Sequence, residues 1–434
     1  MSKQPGPIAA RSPFDRDGQR DAKRLAILAE AARLFNRRGS RSTTLLDIAS
    51  SLNLSKTSLY YYVKTKQELI YQTYLASCEQ QARRLAHIDL QALSGLEKLR
   101  KLILDNFSQW RAIVAGEAPH YALLLEIAAL KPSHREDIEQ RFIANFKTVR
   151  RFVLEGIADA TVAPCDATST ALCLIGTLAW SPLWLLELKP NAIDDAAVMA
   201  CDILLHGLYP GRGNYPFANL DDGTAKVQMP DGFDAQAHKL RKREAFLTAG
   251  SYFFNTKGFK GTSLDEIANH LQVTKGAFYY HIKDKEDLLL QCFERSLKLT
   301  EAAQNLAQEE ADTGIAQVEI VCRQIFYLQN SGEGPLIRYN NLLSLATGHQ
   351  AQIKRRTRQT SQQFGNFIDA GCIDGSIRPI NANVAQHMLA GAIMASMDVP
   401  LWKSMGAIQP ESIAYFHLFF NGLQRRPTTP TELP

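Results

Sequence analysis

Residues 43–69 read TTLLDIASSLNLSKTSLYYYVKTKQEL, and residues 262–288 read TSLDEIANHLQVTKGAFYYHIKDKEDL. A shift of 219 positions superposes them without a gap, so that Ile48-Ala49 meets Ile267-Ala268, Lys56 meets Lys275 and Tyr60-Tyr61 meets Tyr279-Tyr280. Upstream, Phe35-Asn36 and Gly39 fall on Phe254-Asn255 and Gly258. Because the shift is close to half of the 434 residues, it marks two fused copies of a large unit rather than a short solenoid repeat.

Around each string the periodicity is helical. Leu25, Leu28, Ala32 and Phe35 recur at intervals of three or four, and Gly39 follows as a stop. Thr44 with Asp47, and Ser263 with Glu266, have the spacing of a capping box that opens a second, short helix. Asn53-Leu54 makes a turn, and Ser55 or Thr274 caps a third helix; Thr65 to Glu68 and Asp284 to Asp287 open a fourth. Two short helices joined by a tight turn, the second rich in Lys, Thr, Ser and Tyr, form a helix-turn-helix whose second helix enters the major groove of double-stranded DNA. Lys56, Thr57 and Ser58, with Lys275, Gly276 and Ala277, stand where side chains reach base edges. Thr44, Tyr60, Tyr61, Tyr62 and Lys66, with Ser263, Tyr279, Tyr280, His281 and Lys285, are spaced to meet phosphates on either side.

Charge follows the repeat. Residues 20–66 carry a net +7 and residues 239–285 a net +5, so the remainder is −7 in a chain whose total is +5. Positive charge concentrated on two copies of one motif is the footprint of surfaces that meet a polyanion.

The string I-A-x-x-L-x-[VL]-[ST]-K-x-x-[LF]-Y-Y-[HY]-[VI]-K-x-K-x-x-L resembles the DNA-binding domain of the tetracycline-repressor (TetR) family of bacterial regulators, over about 45 residues in each copy. The resemblance implies an all-α fold: three DNA-binding helices, a connecting fourth, then a larger helical domain with an effector pocket and a dimer interface. Copy one departs from the family pattern at Thr57, where Gly is frequent, and at Tyr62, where His is frequent. The expected organisation is a basic disordered arm (1–20), helix-turn-helix domain 1 (21–66), effector and dimerisation domain 1 (67–210), a linker (211–236), helix-turn-helix domain 2 (237–285), effector and dimerisation domain 2 (286–426) and a tail (427–434). By the resemblance, Thr168–Tyr209 and Val384–Gln424 supply the interface. Pro182-Leu183-Trp184 recurs there as Pro400-Leu401-Trp402.

Between these landmarks the apolar pattern predicts helices, among them 120–130 and 335–346. Phe107, Trp110, Tyr121 and Phe146 in copy one, and Phe326, Tyr327, Tyr339 and Phe367 in copy two, are candidates to line a largely apolar effector pocket. The residues also suit a simple core, and an effector-blind DNA-binding scaffold run by a protein partner, or a fusion with one degenerate head, stays open. There is no G-x-S-x-G, Walker A or H-E-x-x-H string, and seven scattered cysteines form no C-x-x-C pair, so an enzyme, a metal site and a cofactor are not expected. No apolar signal core opens the chain and no apolar run reaches the length of a bilayer span, which makes cytoplasm, without a membrane partner, the expectation. Partners expected are operator DNA, a small-molecule effector, the other half of the same chain and a possible second chain.

Overall fold

The computed structural model describes residues 16–124, 127, 130–220 and 235–426; the tail, most of the expected linker and the first fifteen residues of the expected arm lie outside them. Among the described residues every regular element is helical, apart from one isolated bridge between Val162 and Gln424. The chain divides into two compact units, residues 1–77 with 119–124 and residues 78–118 with 125–434.

In the first unit, α1 (Arg16–Ser42) starts within the expected arm, on polar residues that carry no apolar period to announce it. It packs Ile27, Leu28, Ala31, Ala32 and Phe35 inward, while Leu25, expected on that face, is exposed. The helical run is broken at Gly39, whose φ of 80° suits a residue without Cβ. Thr43 then donates to the Gly39 carbonyl at 2.9 Å. α2 (Leu45–Ser51) and α3 (Lys56–Tyr62) close on this core through Ile48, Ala49 and Leu59. The unit boundary falls inside α4 (Lys66–Asp89).

The second unit holds α5 (Gly95–Val114), α6 (Pro132–Ala158), α7 (Ala167–Trp180), α8 (Pro182–Leu185) and α9 (Pro190–His206). It also holds the second helix-turn-helix, α10 (Ala235–Gly261), α11 (Leu264–His270) and α12 (Lys275–Tyr279). Then come α13 (Lys285–Glu310), α14 (Gly314–Asn330), α15 (Thr347–Asp374), α16 (Ala382–Ala395), α17 (Val399–Trp402) and α18 (Ile408–Asn421).

Among the described residues neither expected helix starts where its spacing predicts. Residues 120–124 have no regular structure, and neither do 335–338, which precede a single 3-10 stretch at Tyr339–Ser344. The cause is the same in both copies: an asparagine side chain takes up the backbone groups that a helix would have paired internally. Asn36 donates to the Tyr121 carbonyl at 2.8 Å and accepts from the Leu123 amide at 2.9 Å. Asn255 does the same with Leu336 and Arg338, at 2.8 and 2.9 Å. Ser77 and Ser296 accept from the intervening amides of Ala122 and Ile337, both at 2.9 Å.

Inside the second unit, backbone bonds link the two copies in exchanged pairs. Leu208 donates to Phe419 and Leu423 to Leu204; Tyr209 donates to Phe420 and Gln424 to Leu205; Ala163 donates to Leu423 and Arg378 to Leu208, all at 2.8–3.0 Å. Each bond has a partner displaced by 215 positions at both ends, which is the signature of a self-complementary, two-fold contact. Gly207 and Gly422 sit at its centre with φ of 71° and 79°, and a Cβ on either would meet the other's backbone at under 3 Å. Alongside, α7 crosses α16 where Gly176 faces Ala395 and Gly391 faces Trp180. This explains why Ala167–Leu185 is apolar enough, by length and composition, for a membrane span: two thirds of it is buried in protein.

The chain after α9 does not leave this core as free linker. Tyr215 is buried, its amide donating to the Asn421 side chain at 2.6 Å and its hydroxyl to Glu319 at 2.8 Å. Glu319 also accepts from the Ala218 amide at 2.9 Å and pairs with Arg323, which donates to the Ala218 carbonyl at 2.6 Å. All seven cysteines are free thiols. At Gly391 a side chain would meet the Trp180 Cβ at 2.6 Å. Gly391→Val is therefore expected to cost about 1–3 kcal/mol, read as a lower urea midpoint, and an unchanged midpoint would show that the crossing tolerates separation.

Candidate nucleic-acid interface

Each recognition helix is held by one buried side chain and shows the rest to solvent. Leu59 and Phe278 are fully buried. On the outer face Lys56, Thr57, Ser58, Tyr60 and Tyr61 are exposed, as are Lys275, Gly276, Ala277, Tyr279 and Tyr280. Tyr61 and Tyr280 are 68% and 75% exposed, far more than a packing aromatic would be. The turns before them carry Asn53 and Gln272 at φ of 52° and 55°, so this tight geometry is imposed on non-glycine residues in both copies.

The starts of the helices match expectation except in one place. Ser55 caps α3 by accepting from the Ser58 amide at 3.1 Å, and Thr274 caps α12 by accepting from Ala277 at 3.3 Å. Thr44 and Asp47 form the full capping box, at 3.0 and 2.7 Å, and these bonds hold the Asp47 carboxyl below its ordinary value. In copy two the box does not form: Ser263 makes no side-chain cap, and the Glu266 carboxylate that would complete the box pairs with Lys257 instead.

Electrostatics separate the copies further. Lys275 pairs with Asp265 at 2.7 Å, and that bond raises its pKa. The position matching Asp265 in copy one is Leu46, and Lys56 lies instead over the Tyr60 ring at 5.8 Å. Arg20 lies over Tyr61 and Lys239 over Tyr280, both at 5.5 Å, so each outermost tyrosine has a cation from the first helix of its copy beside it. Tyr62 and His281 are half-buried and edge-on to Tyr61 and Tyr280. Lys285 is turned back, donating to the Thr262 carbonyl at 3.0 Å and lying over Phe259; Lys66 is half-buried at the same place in α4.

The eight aromatic candidates for a pocket separate on inspection. Phe107, Trp110, Phe146, Phe326 and Phe367 are core, Phe146 packing on Trp402. Tyr121 lies in the segment gripped by Asn36, and Tyr327 is half-buried on α14. Tyr339 lines a half-open cavity of about 110 Å3, walled by α13, α14, α15 and α16 with Trp180 of α7. A larger groove of about 900 Å3 beside α10 is open to solvent and lined by charged residues such as Arg241, Glu244 and Arg295. The paired Asn36–Ser77 and Asn255–Ser296 grips were within reach of sequence reading, since both members recur at the same shift, yet nothing in a single asparagine announces what it holds.

Residues 27–72 and 246–292 both match the family of bacterial regulatory proteins known as tetR, and residues 92–208 match the tetracyclin repressor-like C-terminal domain. The chain belongs to the TetR family. The HTH-type transcriptional repressor KstR2 of Mycolicibacterium smegmatis is 26% identical over 205 residues, 46% of this chain and 97% of that protein. The transposon Tn10 TetC protein of Escherichia coli is 37% identical over 59 residues, 14% of this chain and only 30% of the relative's length. Among solved structures, the ketosteroid regulator KstR2 of Mycobacterium tuberculosis aligns at 22% identity and TM-score 0.35, covering 42% of this chain and 92% of that one. AibR, solved with isovaleryl coenzyme A and operator DNA, aligns at 22% and 0.35, covering 41% and 97%. TetR-family proteins are transcriptional regulators rather than enzymes.

His281, where copy one has Tyr62, is held below the usual histidine range by burial and by Lys239, Lys242 and Arg243. A depressed histidine contributes stability while neutral and loses it as pH falls below the unfolded value of about 6.5. An NMR titration, assigned by the signal lost in His281→Tyr, should give a midpoint below that value; one at or above it would remove the basis for this pH sensitivity.

Proposed function

We propose that the chain is a ligand-responsive DNA-binding transcriptional repressor in which one polypeptide supplies both reading heads to an imperfect palindromic operator, and that a small, largely apolar effector releases it. The observation that carries this is the exchanged set of backbone bonds between the copies, which stands where other dimers join two chains. Reading two successive major grooves requires two recognition helices. Here α3 and α12 are that pair, with unlike leading residues, Lys56-Thr57-Ser58 and Lys275-Gly276-Ala277.

In this reading Lys56, Thr57 and Ser58 reach bases, and Tyr60, Tyr61, Tyr279 and Tyr280 donate to phosphates. Gly276 has open space where a Cβ would stand, so DNA backbone can approach closely there. Thr44, Ser263 and the first turns at Lys66 and Lys285 flank the same surface, with Tyr62 and His281 supporting it from behind. In the same reading, residues 21–66 and 237–285 read DNA, while 67–210 and 286–426 bind effector and each other. The effector-blind alternative gains from one observation: five of the eight aromatics offered as pocket walls are core.

Footprinting on operators recovered by genome-wide pull-down tests the reading. Two unlike half-sites are expected; two identical ones, protected equally by interchangeable heads, would count against it. Tyr60→Phe with Tyr61→Phe, and separately Tyr279→Phe with Tyr280→Phe, should each weaken binding by a few-fold across all sequences. A pair that changes nothing marks its head as degenerate. Asp265→Leu, which gives copy two the residue of copy one, frees Lys275 for phosphate. It should tighten binding and steepen the log–log salt dependence by about 0.9, and an unchanged slope would place Lys275 away from DNA.

A further inference from the structure

The helices α6 and α15 correspond residue by residue at a shift of 215. Asp159 and Asp374 accept from the amides of Gly95 and Gly314 at 2.8 and 2.9 Å, and Thr161 and Ser376 accept from Leu96 and Ile315, both at 3.2 Å. On that register Phe142 and Phe146 of α6 answer to Thr357 and Ser361 of α15. In copy two these small hydroxyl residues line the half-open cavity. In copy one the room is taken: the Phe146 ring lies 4.1 Å, and the Phe142 ring 5.7 Å, from Trp402, which copy two contributes. Trp184, the counterpart of Trp402, does not return the contact. It is stacked on His387 at 5.1 Å and edge-on to Phe107 at 6.1 Å.

We propose that the tandem chain carries a single small-molecule site, in copy two, and that Phe142, Phe146 and Trp402 have closed its counterpart in copy one. This rests on the ligand-responsive reading above. The ligand class follows from the lining, which contains no charged side chain; an ion would lose its hydration with no counter-charge in return. Thr300 and Thr360 spend their hydroxyl protons on the Ser296 and Arg356 carbonyls, at 2.9 and 3.0 Å, and so face the cavity as acceptors. The site therefore suits a neutral, compact, largely apolar molecule with one polar group such as a hydroxyl, which can donate to Thr300 or Thr360. A volume of about 110 Å3 compares with the roughly 150 Å3 of a cavity that admits benzene, so a single ring is near the limit unless the walls move.

Benzyl alcohol has that chemistry and serves as the probe, titrated calorimetrically into the full chain. Saturable binding at one site per chain is expected. The site should weaken by about tenfold or more in Thr357→Phe with Ser361→Phe, which transplants the residues of copy one. In the triple variant Phe142→Thr, Phe146→Ser and Trp402→Ala, which removes all three residues and leaves the copy-two lining untouched, the first site should persist and a second should appear. Two sites in the natural chain, no saturable site, or binding indifferent to the transplant would overturn the assignment. So would a stoichiometry that stays at one in the triple variant, since something else would then close copy one. Binding of the same samples to DNA reports separately on the regulator: protein that binds DNA but fails these outcomes sinks the single-site inference alone, whereas protein that binds no DNA sinks the regulator reading.

Discussion

Six backbone hydrogen bonds, exchanged in pairs between the two copies around the ends of α9 and α18 and the chain after α6 and α15, are the constraint on which the core of this chain turns. A peptide group buried without a partner costs far more than a formed bond gains. Here each copy satisfies groups that the other leaves over at its helix ends. The demand is geometric as well as energetic. Gly207 and Gly422 must both lie at positive φ and nearly touch, and α7 and α16 must cross through Gly176 and Gly391, because any side chain there would meet backbone or a neighbouring Cβ. Neither copy can complete these contacts alone, so the duplication is one folding problem rather than two domains in series.

The covalent connection reinforces this. The buried Glu319–Arg323 pair would be a liability if either partner were short of hydrogen bonds. Instead Tyr215, Ala218 and Ser412 take up its remaining capacity. Chain leaving copy one is thereby stitched to α14 and α18 of copy two, and the two halves share polar as well as apolar interior.

The all-α class, the repeat and the recognition helices were legible in the sequence because they rest on local rules: apolar spacing, capping residues and a stop at Gly39. What failed did so where a distant partner overrode a local preference. Residues 120–124 and 335–338 have helical apolar spacing, but Asn36 and Asn255, more than 80 positions away, hold them out of helix. The capping box expected at Ser263 does not form, and its Glu266 pairs instead with Lys257, which an i, i+3 rule does not see. Among the aromatics, Phe107 and Tyr339 look alike in sequence. Both lie edge-on to a tryptophan, Trp184 and Trp180, yet one is core and the other lines the cavity, a difference set by packing between helices that no single position announces.

The same two asparagines indicate how a filled cavity would be felt at a head. Leu336 and Ile337 are cavity wall in copy two. The Leu336 carbonyl and the Arg338 amide are both held by Asn255 of α10, and the amide between them by Ser296 of α13. If a molecule too large for about 110 Å3 presses on this wall, the wall moves only by breaking these three hydrogen bonds or by carrying α10 and α13 with it. α10 is the helix against which α11 and α12 pack, through Phe246 on Phe278 at 4.8 Å. On the proposed function, a ligand shifts the head only by its differential affinity for the two wall positions, so a ligand that leaves the wall where it stands would bind without effect.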